Sequence, residues 1–312
     1  MRYKYKNVVN INRPIDYACL QEYISELCAN FDFLQNLIIG KSYLGRNINL
    51  LKLGSGERAS IFIGAHHSME WITSLLLMRF AETLCKGFIF SSHNEKLYGY
   101  DIEQVFKTRT IYIVPMLNPD GVDLVLNGLD DDNPVRSRLI QMNNGSHDFS
   151  RWQANARGVD LNHNYDADFE LLRQIETDAG ITEPCAARHG GPYPESEPET
   201  SALAAFIRSR PDIGVLSALH TQGEEIYWRY GDIVPPRARM LASLIKRITG
   251  YKLKYPDEAL ASYGGCKDWF IAKFNKPGFT IECGKGENPL PLADFMPIYS
   301  VIEEALVSLA VN

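Results

Sequence analysis

The sequence predicts an α/β fold, a central sheet with helices on both faces. Three observations lead there. Short continuous apolar runs alternate along the chain with longer stretches whose apolar residues recur at three and four. Several of the apolar runs end in polar, chemistry-bearing residues, as strands do when a site sits at their carboxyl ends. No repeat, linker or low-complexity segment divides the 312 residues, so a single domain is expected although the length also admits two small ones.

Taken in order, residues 15–30 (IDYACLQEYISELCAN) have helical spacing. Residues 48–53 and 61–65 read as strands, the first alternating and the second nearly continuous. Residues 71–85 are apolar at helical spacing, and 110–115 form a β-branched, buried strand. The polar, turn-rich stretch 130–146 is expected to be a long surface loop. Ser196-Glu197-Pro198-Glu199 predicts a helix start, with a serine cap, an early proline and a glutamate three residues on. Residues 213–219 and 278–281 are further short strands, and 235–248, 267–274 and 294–309 read as helices.

Composition excludes some functions. Lys plus Arg is 32 against 38 Asp plus Glu, a net charge of -6, which argues against a general nucleic-acid binder. No run of 18 apolar residues predicts a membrane span. The opening MRYKYKNVVN has no apolar signal region, and the six scattered cysteines form no CxxC. A cytoplasmic protein with free thiols is therefore expected.

The chemistry concentrates at strand ends. The run SIFIGA leads into His66-His67-Ser68-Met69-Glu70, IGVLSAL ends in His220, and PGFTI ends in Glu282. Two histidines and two glutamates can thus converge at one sheet edge. A His2Glu set is a known zinc-hydrolase ligand set that leaves a position for water, and a further carboxylate is needed to take the water's proton. Taken singly, His67 reads as a strand-end surface histidine and His220 as a satisfied core histidine. An H-x-x-E spacing occurs often by chance. An unpaired carboxylate at Glu282, after an apolar strand, is harder to explain blandly. Order, placement and spacing together favour zinc.

These segments resemble the zinc carboxypeptidase-type peptidases of the M14 family. His67-Ser68-Met69-Glu70-Trp71 resembles the family's H-x-x-E-W block, Asn118-Pro119-Asp120-Gly121 its NPDG turn, and Gly158-Val159-Asp160-Leu161-Asn162 its G-x-D-x-N block. The lead-in Gly40-Lys41-Ser42-Tyr43-Leu44-Gly45-Arg46 also matches, so the likeness runs from about residue 36 to 309. It implies a single-domain fold with a mixed, twisted central sheet, a helical lead-in over 1–35 and a catalytic domain over 36–312. It implies one Zn2+ per chain held by His67, Glu70 and His220, Glu282 as catalytic base, and Asp160 behind His67. Asn162 corresponds to a residue that binds the substrate carboxylate.

Within the family the chain is most similar to bacterial peptidases that cleave γ-D-glutamyl–meso-diaminopimelate bonds of peptidoglycan. The segments carrying this are Arg151-Trp152-Gln153-Ala154-Asn155, the stretch from Gly190-Gly191-Pro192-Tyr193 to Thr200, His220 to Trp228, and Gly284-Lys285-Gly286-Glu287-Asn288-Pro289-Leu290-Pro291. The implied partner is a small murein peptide, with no nucleic acid and no membrane.

The chain also departs from the family. His163 stands where carboxypeptidases have a carboxylate-binding arginine, and Gln153 where they have an oxyanion-stabilising one. Arg151 or Arg157 is then a candidate substitute. The substrate-capping tyrosine falls at Leu260, leaving Tyr263 nearby as a packing residue. In Gly264-Gly265-Cys266-Lys267-Asp268-Trp269 the resemblance puts Lys267 at the base of the specificity pocket, where its charge suits the second carboxylate of diaminopimelate. A solvated helix lysine is the plain alternative. Cys266 and Cys283 read as packing residues, Glu224 and Glu225 as turn residues or amine binders, and Arg188 and His189 as cleft neighbours. Two other functions stay open: a general zinc carboxypeptidase or N-acyl amino acid deacylase, and a non-catalytic murein-peptide binder.

Overall fold

A computed structural model describes residues 7–255 and 263–312. Among them lie one mixed eight-stranded sheet and ten α-helices. The strands are β1 (Gln35–Lys41), β2 (Asn47–Gly54), β3 (Arg58–Ile63), β4 (Arg109–Val114), β5 (Ile213–His220), β6 (Glu225–Tyr227), β7 (Lys252–Lys254) and β8 (Gly278–Glu282). Their order is β1-β2-β4-β3-β5-β8-β6-β7. The middle four, β4, β3, β5 and β8, run parallel. The antiparallel pairings β1–β2, β2–β4 and β6–β8 make the sheet mixed.

The continuous apolar runs now have a cause. Helices cover both faces, so alternate residues of one strand enter two cores. In β3, Phe62 faces one core, and Ile61 and Ile63 face the other. The first core packs α1 (Tyr17–Asn30), α2 (Ile72–Ser91), α3 (Ile102–Thr108), α8 (Ala238–Thr249) and α10 (Phe295–Val311). The second takes α7 (Pro198–Arg208), α9 (Cys266–Phe274) and the 161–167 segment. α4 (Pro119–Asn127) starts at an Asn118 cap that accepts from Gly121 N–H at 3.1 Å.

The sequence reading needs correction at three places. The expected loop 130–146 holds α5 (Arg136–Met142), because Leu139 and Met142 are spaced to pack on Phe149 and Trp152. The N-cap position of α7 is Glu197 and not Ser196, and no side chain caps it. The Ser196 hydroxyl donates sideways to Glu197 Oε1, and Pro198 sets the first turn. β1, β6, β7, α3, α4 and α6 (Phe169–Asp178) were not anticipated. β6 and β7 are three residues each, too short to show a period. All six cysteines are free thiols, as expected. No helix among the described residues is long and apolar enough to cross a membrane. Leu260 lies outside the described residues.

Candidate metal centre

Three parallel strand ends build the site. Beyond β3 the chain turns at Ala65, which takes a positive φ of 47°, into a 3-10 turn over Ser68–Glu70. Thr73 Oγ1 locks that turn: it accepts from Ala65 N–H and donates to Glu70 O, both at 2.8 Å. The NPDG turn packs directly on it. A Cβ at Gly121 would lie 2.7 Å from both Ala154 O and Ser68 Cβ, so only glycine permits the approach. Asp120 in turn ties down the lead-in loop, accepting from Ser42 Oγ, Leu44 N–H and Arg46 Nη1 at 2.8–2.9 Å. Two sequence blocks are thus one structural brace.

His67 and Glu70 face His220, the last residue of β5. His67 Nδ1 lies 2.9 Å from Glu70 Oε1 and 3.2 Å from His220 Nδ1. His220 Nδ1 lies 2.9 Å from Glu70 Oε2, but that buried oxygen accepts no aligned hydrogen bond. One ligand atom from each of the three residues falls within 4.8 Å of the others. Two imidazoles and a carboxylate with an unsatisfied buried oxygen suit zinc. Glu282 ends β8 and pairs in register with His220 on one side and Glu225 on the other. Burial, then the nearby Glu70, raises the Glu282 carboxyl well above the usual range. Burial also opposes the charge of Glu70, but His67 and His220 hold its carboxyl down to about 2.

Asp160 sits behind His67, its Oδ1 3.1 Å from Nε2. Burial disfavours its charge, yet His67 and His163 keep the carboxyl well below its usual value. Asn162 N–H and Arg188 N–H donate to Asp160 at 3.0 and 3.2 Å. Gln153 Nε2 donates to Asp160 Oδ2 at 2.6 Å, so its amide is already engaged. Asn162 Oδ1 accepts from Cys266 N–H at 3.0 Å, and His163 Nδ1 lies 3.2 Å from Arg188 O.

The cations predicted for substrate are engaged elsewhere. Arg157 lies 3.7 Å from Glu197 and over the Tyr43 ring. Arg151 pairs with Glu287 at 3.0 Å in solvent. Lys267 is buried, donating to Arg229 O at 2.9 Å and to the adjacent Asp268. Burial pushes the Asp268 carboxyl up even with Lys267 beside it.

Sequence reasoning missed two neighbours. His66 is fully buried, stacks on His220 with centroids 5.4 Å apart, and contacts Tyr165 OH at 3.1 Å. Asn288 reaches Glu70 and Thr221. Neither carries a signal in the sequence: His66 lies beyond β3 and past the turn at Ala65, where strand alternation no longer applies, and nothing gives Asn288 its partners.

Fold and site together define a zinc hydrolase. A family model described as zinc carboxypeptidase matches residues 20–306. γ-D-Glutamyl-L-diamino acid endopeptidase 1 of Lysinibacillus sphaericus is 36% identical over 300 residues, 96% of this chain and 72% of that protein. Carboxypeptidase A2 of Rattus norvegicus is 24% identical over 286 residues, 85% of this chain and 62% of that one. Among solved structures, thrombin-activatable fibrinolysis inhibitor matches with a TM-score of 0.74 at 20% identity, covering 98% of this chain and 79% of that one. Murein-tripeptide amidase MpaA of Escherichia coli O157 matches at 0.51 and 19%, covering 87% and 90%. The chain belongs to the zinc carboxypeptidase family of M14 peptidases. It is a metallopeptidase whose cofactor is zinc.

Proposed function

We propose that the chain hydrolyses the γ-D-glutamyl–meso-diaminopimelate bond of peptidoglycan-derived peptides. The observation that carries this is its 36% identity, over 96% of its length, to a protein named as a γ-D-glutamyl-L-diamino acid endopeptidase. His67, Glu70 and His220 hold the zinc. Bound there, zinc supplies Lewis acidity to a scissile carbonyl and to water.

The chain's own residues do the rest. Glu282 accepts a proton from the attacking water and returns it to the leaving amine. Its place at the end of β8, in register with the ligand His220, suits both steps. Asp160 accepts from His67 Nε2–H, which leaves Nδ1 with its lone pair toward the metal. Gln153 and the Asn162 and Arg188 amides keep Asp160 in place. Asn162 and His163 are the substrate-carboxylate residues in this reading, and His163 does so only when charged. Free thiols at all six cysteines support a cytoplasmic location.

The test is to incubate zinc-loaded protein with L-Ala-γ-D-Glu-meso-diaminopimelate and follow the products by mass spectrometry. Release of diaminopimelate is expected. Release of ordinary C-terminal residues from α-linked peptides, with the γ-linked peptide intact, overturns the substrate in favour of a general carboxypeptidase. The engagement of Lys267 by Asp268 is the observation that favours this second reading.

A further inference from the structure

The two ligand-bearing segments of the metal centre come from distant parts of the chain, and a side chain from a third segment joins them. Asn288 lies in the loop after β8, six residues beyond Glu282. It is half-buried, and its amide makes a two-way pairing with Thr221, the residue after the ligand His220. Thr221 Oγ1 donates to Asn288 Oδ1 at 2.6 Å, and Asn288 Nδ2 donates to Thr221 O at 2.7 Å. The same Nδ2 lies 3.5 Å from Glu70 Oε1. That oxygen also faces His67 Nδ1, while Oε2 is the one without an aligned partner.

A carboxylate ligand can present either oxygen, or both, to a metal. A donor fixed on one oxygen removes that freedom and leaves the other for coordination. The Thr221 pairing holds both ends of the Asn288 amide, so its NH2 direction is set and not free to flip. Thr221 is itself buried, 4% exposed, and adjoins His220 in the backbone. A single amide therefore bridges the Glu70 carboxylate and the strand end that carries His220.

We propose that Asn288 is a positioning residue for the zinc site, orienting Glu70 and tying it to the His220–Thr221 segment. The proposal concerns metal affinity and holds whatever peptide the enzyme cleaves. Removing such an outer partner typically weakens metal binding ~10–100-fold.

The experiment measures the zinc dissociation constant of the full chain by competition with a chromophoric chelator, alongside thermal unfolding of the metal-free protein. Asn288→Ala is expected to weaken zinc binding ~10-fold or more. Asn288→Leu keeps the volume but loses both the donor to Glu70 and the pairing with Thr221, and is expected to weaken zinc by a similar factor. Thr221→Val frees one end of the amide and should fall between these and the parent. If Asn288→Ala does not fold, the near-isosteric Asn288→Leu carries the test. Zinc affinity within twofold of the parent in the folded variants overturns the proposal. So does a drop in metal-free stability with affinity unmoved, since that is what a purely structural clamp gives.

Discussion

The metal centre and the rim of three candidate substrate cations are built differently. The metal centre hangs on backbone: His67, His220 and Glu282 follow or end parallel strands whose register is fixed by two cores. The rim hangs on long side chains, Arg151, Arg157 and Lys267, each engaged by a neighbouring carboxylate. The difference teaches that strand ends fix where short ligands point, whereas a long cation goes to whichever acid or carbonyl is nearest. The centre is accordingly sensitive in chemistry, and the rim in stability only where its pair is buried, as at Lys267.

The sharpest way to test that contrast is at Glu282. Glu282→Gln keeps the side-chain shape and removes the proton acceptor. Turnover of whichever peptide the parent cleaves should fall ~10²–10⁴-fold, the range for loss of a general base. Zinc content should stay at one equivalent, because His67, Glu70 and His220 are untouched. Unchanged turnover would mean that another group takes the proton.

Lys267 offers the opposite kind of effect. Its pair with Asp268 is buried, with both side chains almost wholly out of solvent. Lys267→Met leaves an uncompensated carboxylate, a change that costs ~3–5 kcal/mol in comparable buried pairs. Chemical unfolding should show that loss, and the double variant Lys267→Met with Asp268→Asn should recover most of it. If the single variant is as stable as the parent and instead alters the preferred leaving residue, Lys267 belongs to the substrate and the contrast fails.

Much of the centre was legible because its placement follows from pattern. Two-sided apolar runs at 61–65, 213–219 and 278–281 can only be interior strands, and what ends them lands together at one sheet edge. The rim was not legible for a physical reason. Lys267 and Asp268 are adjacent in sequence, but adjacency does not say that one donates to the other and to Arg229 O. Gln153 aligned with an oxyanion arginine, yet its shorter arm reaches Asp160. β6 and β7 were invisible because pairing with β8 and with each other, and not their own periodicity, makes them strands. Asn288 was hidden for the same reason: three of its contacts are with residues 67 and 218 positions away.

Glu197 and Glu199 form a buried acidic brace around Asn155. Glu199 accepts from Tyr43 N–H at 2.9 Å and from Asn155 Nδ2 at 3.2 Å. Burial raises its carboxyl to about 7 from the usual 4.5. The folded state then binds its proton more tightly than the unfolded state does. Its contribution is full below about pH 4.5 and is lost as pH rises through about 7. A shift of that size corresponds to about 3 kcal/mol. In urea unfolding at pH 5 to 8, the parent should lose stability relative to Glu199→Gln by roughly that amount across the range. Parallel pH curves for the two proteins would show that Glu199 does not titrate in the folded state.

The smallest effect is expected at Arg151, and it bears most directly on the rim. Arg151 and Glu287 form their pair with side chains 72% and 83% exposed. Such pairs contribute ~0–1 kcal/mol, because solvent screens the charges and two long side chains are ordered to make the contact. Arg151→Ala should therefore change unfolding stability by less than about 0.5 kcal/mol. The informative quantity is the kinetics. Gln153 is tied to Asp160 and Arg157 to Glu197, so Arg151 is the member of the three held only by a weak, exposed partner. If it stays with Glu287 during turnover, kcat should hold within about twofold and only KM should drift. A loss of ~10²-fold or more in kcat, the cost of removing an oxyanion donor, would mean that Arg151 leaves Glu287 for the reacting carbonyl. The rim would then be recruited by substrate, its resting ion pair a parking place for the missing charge.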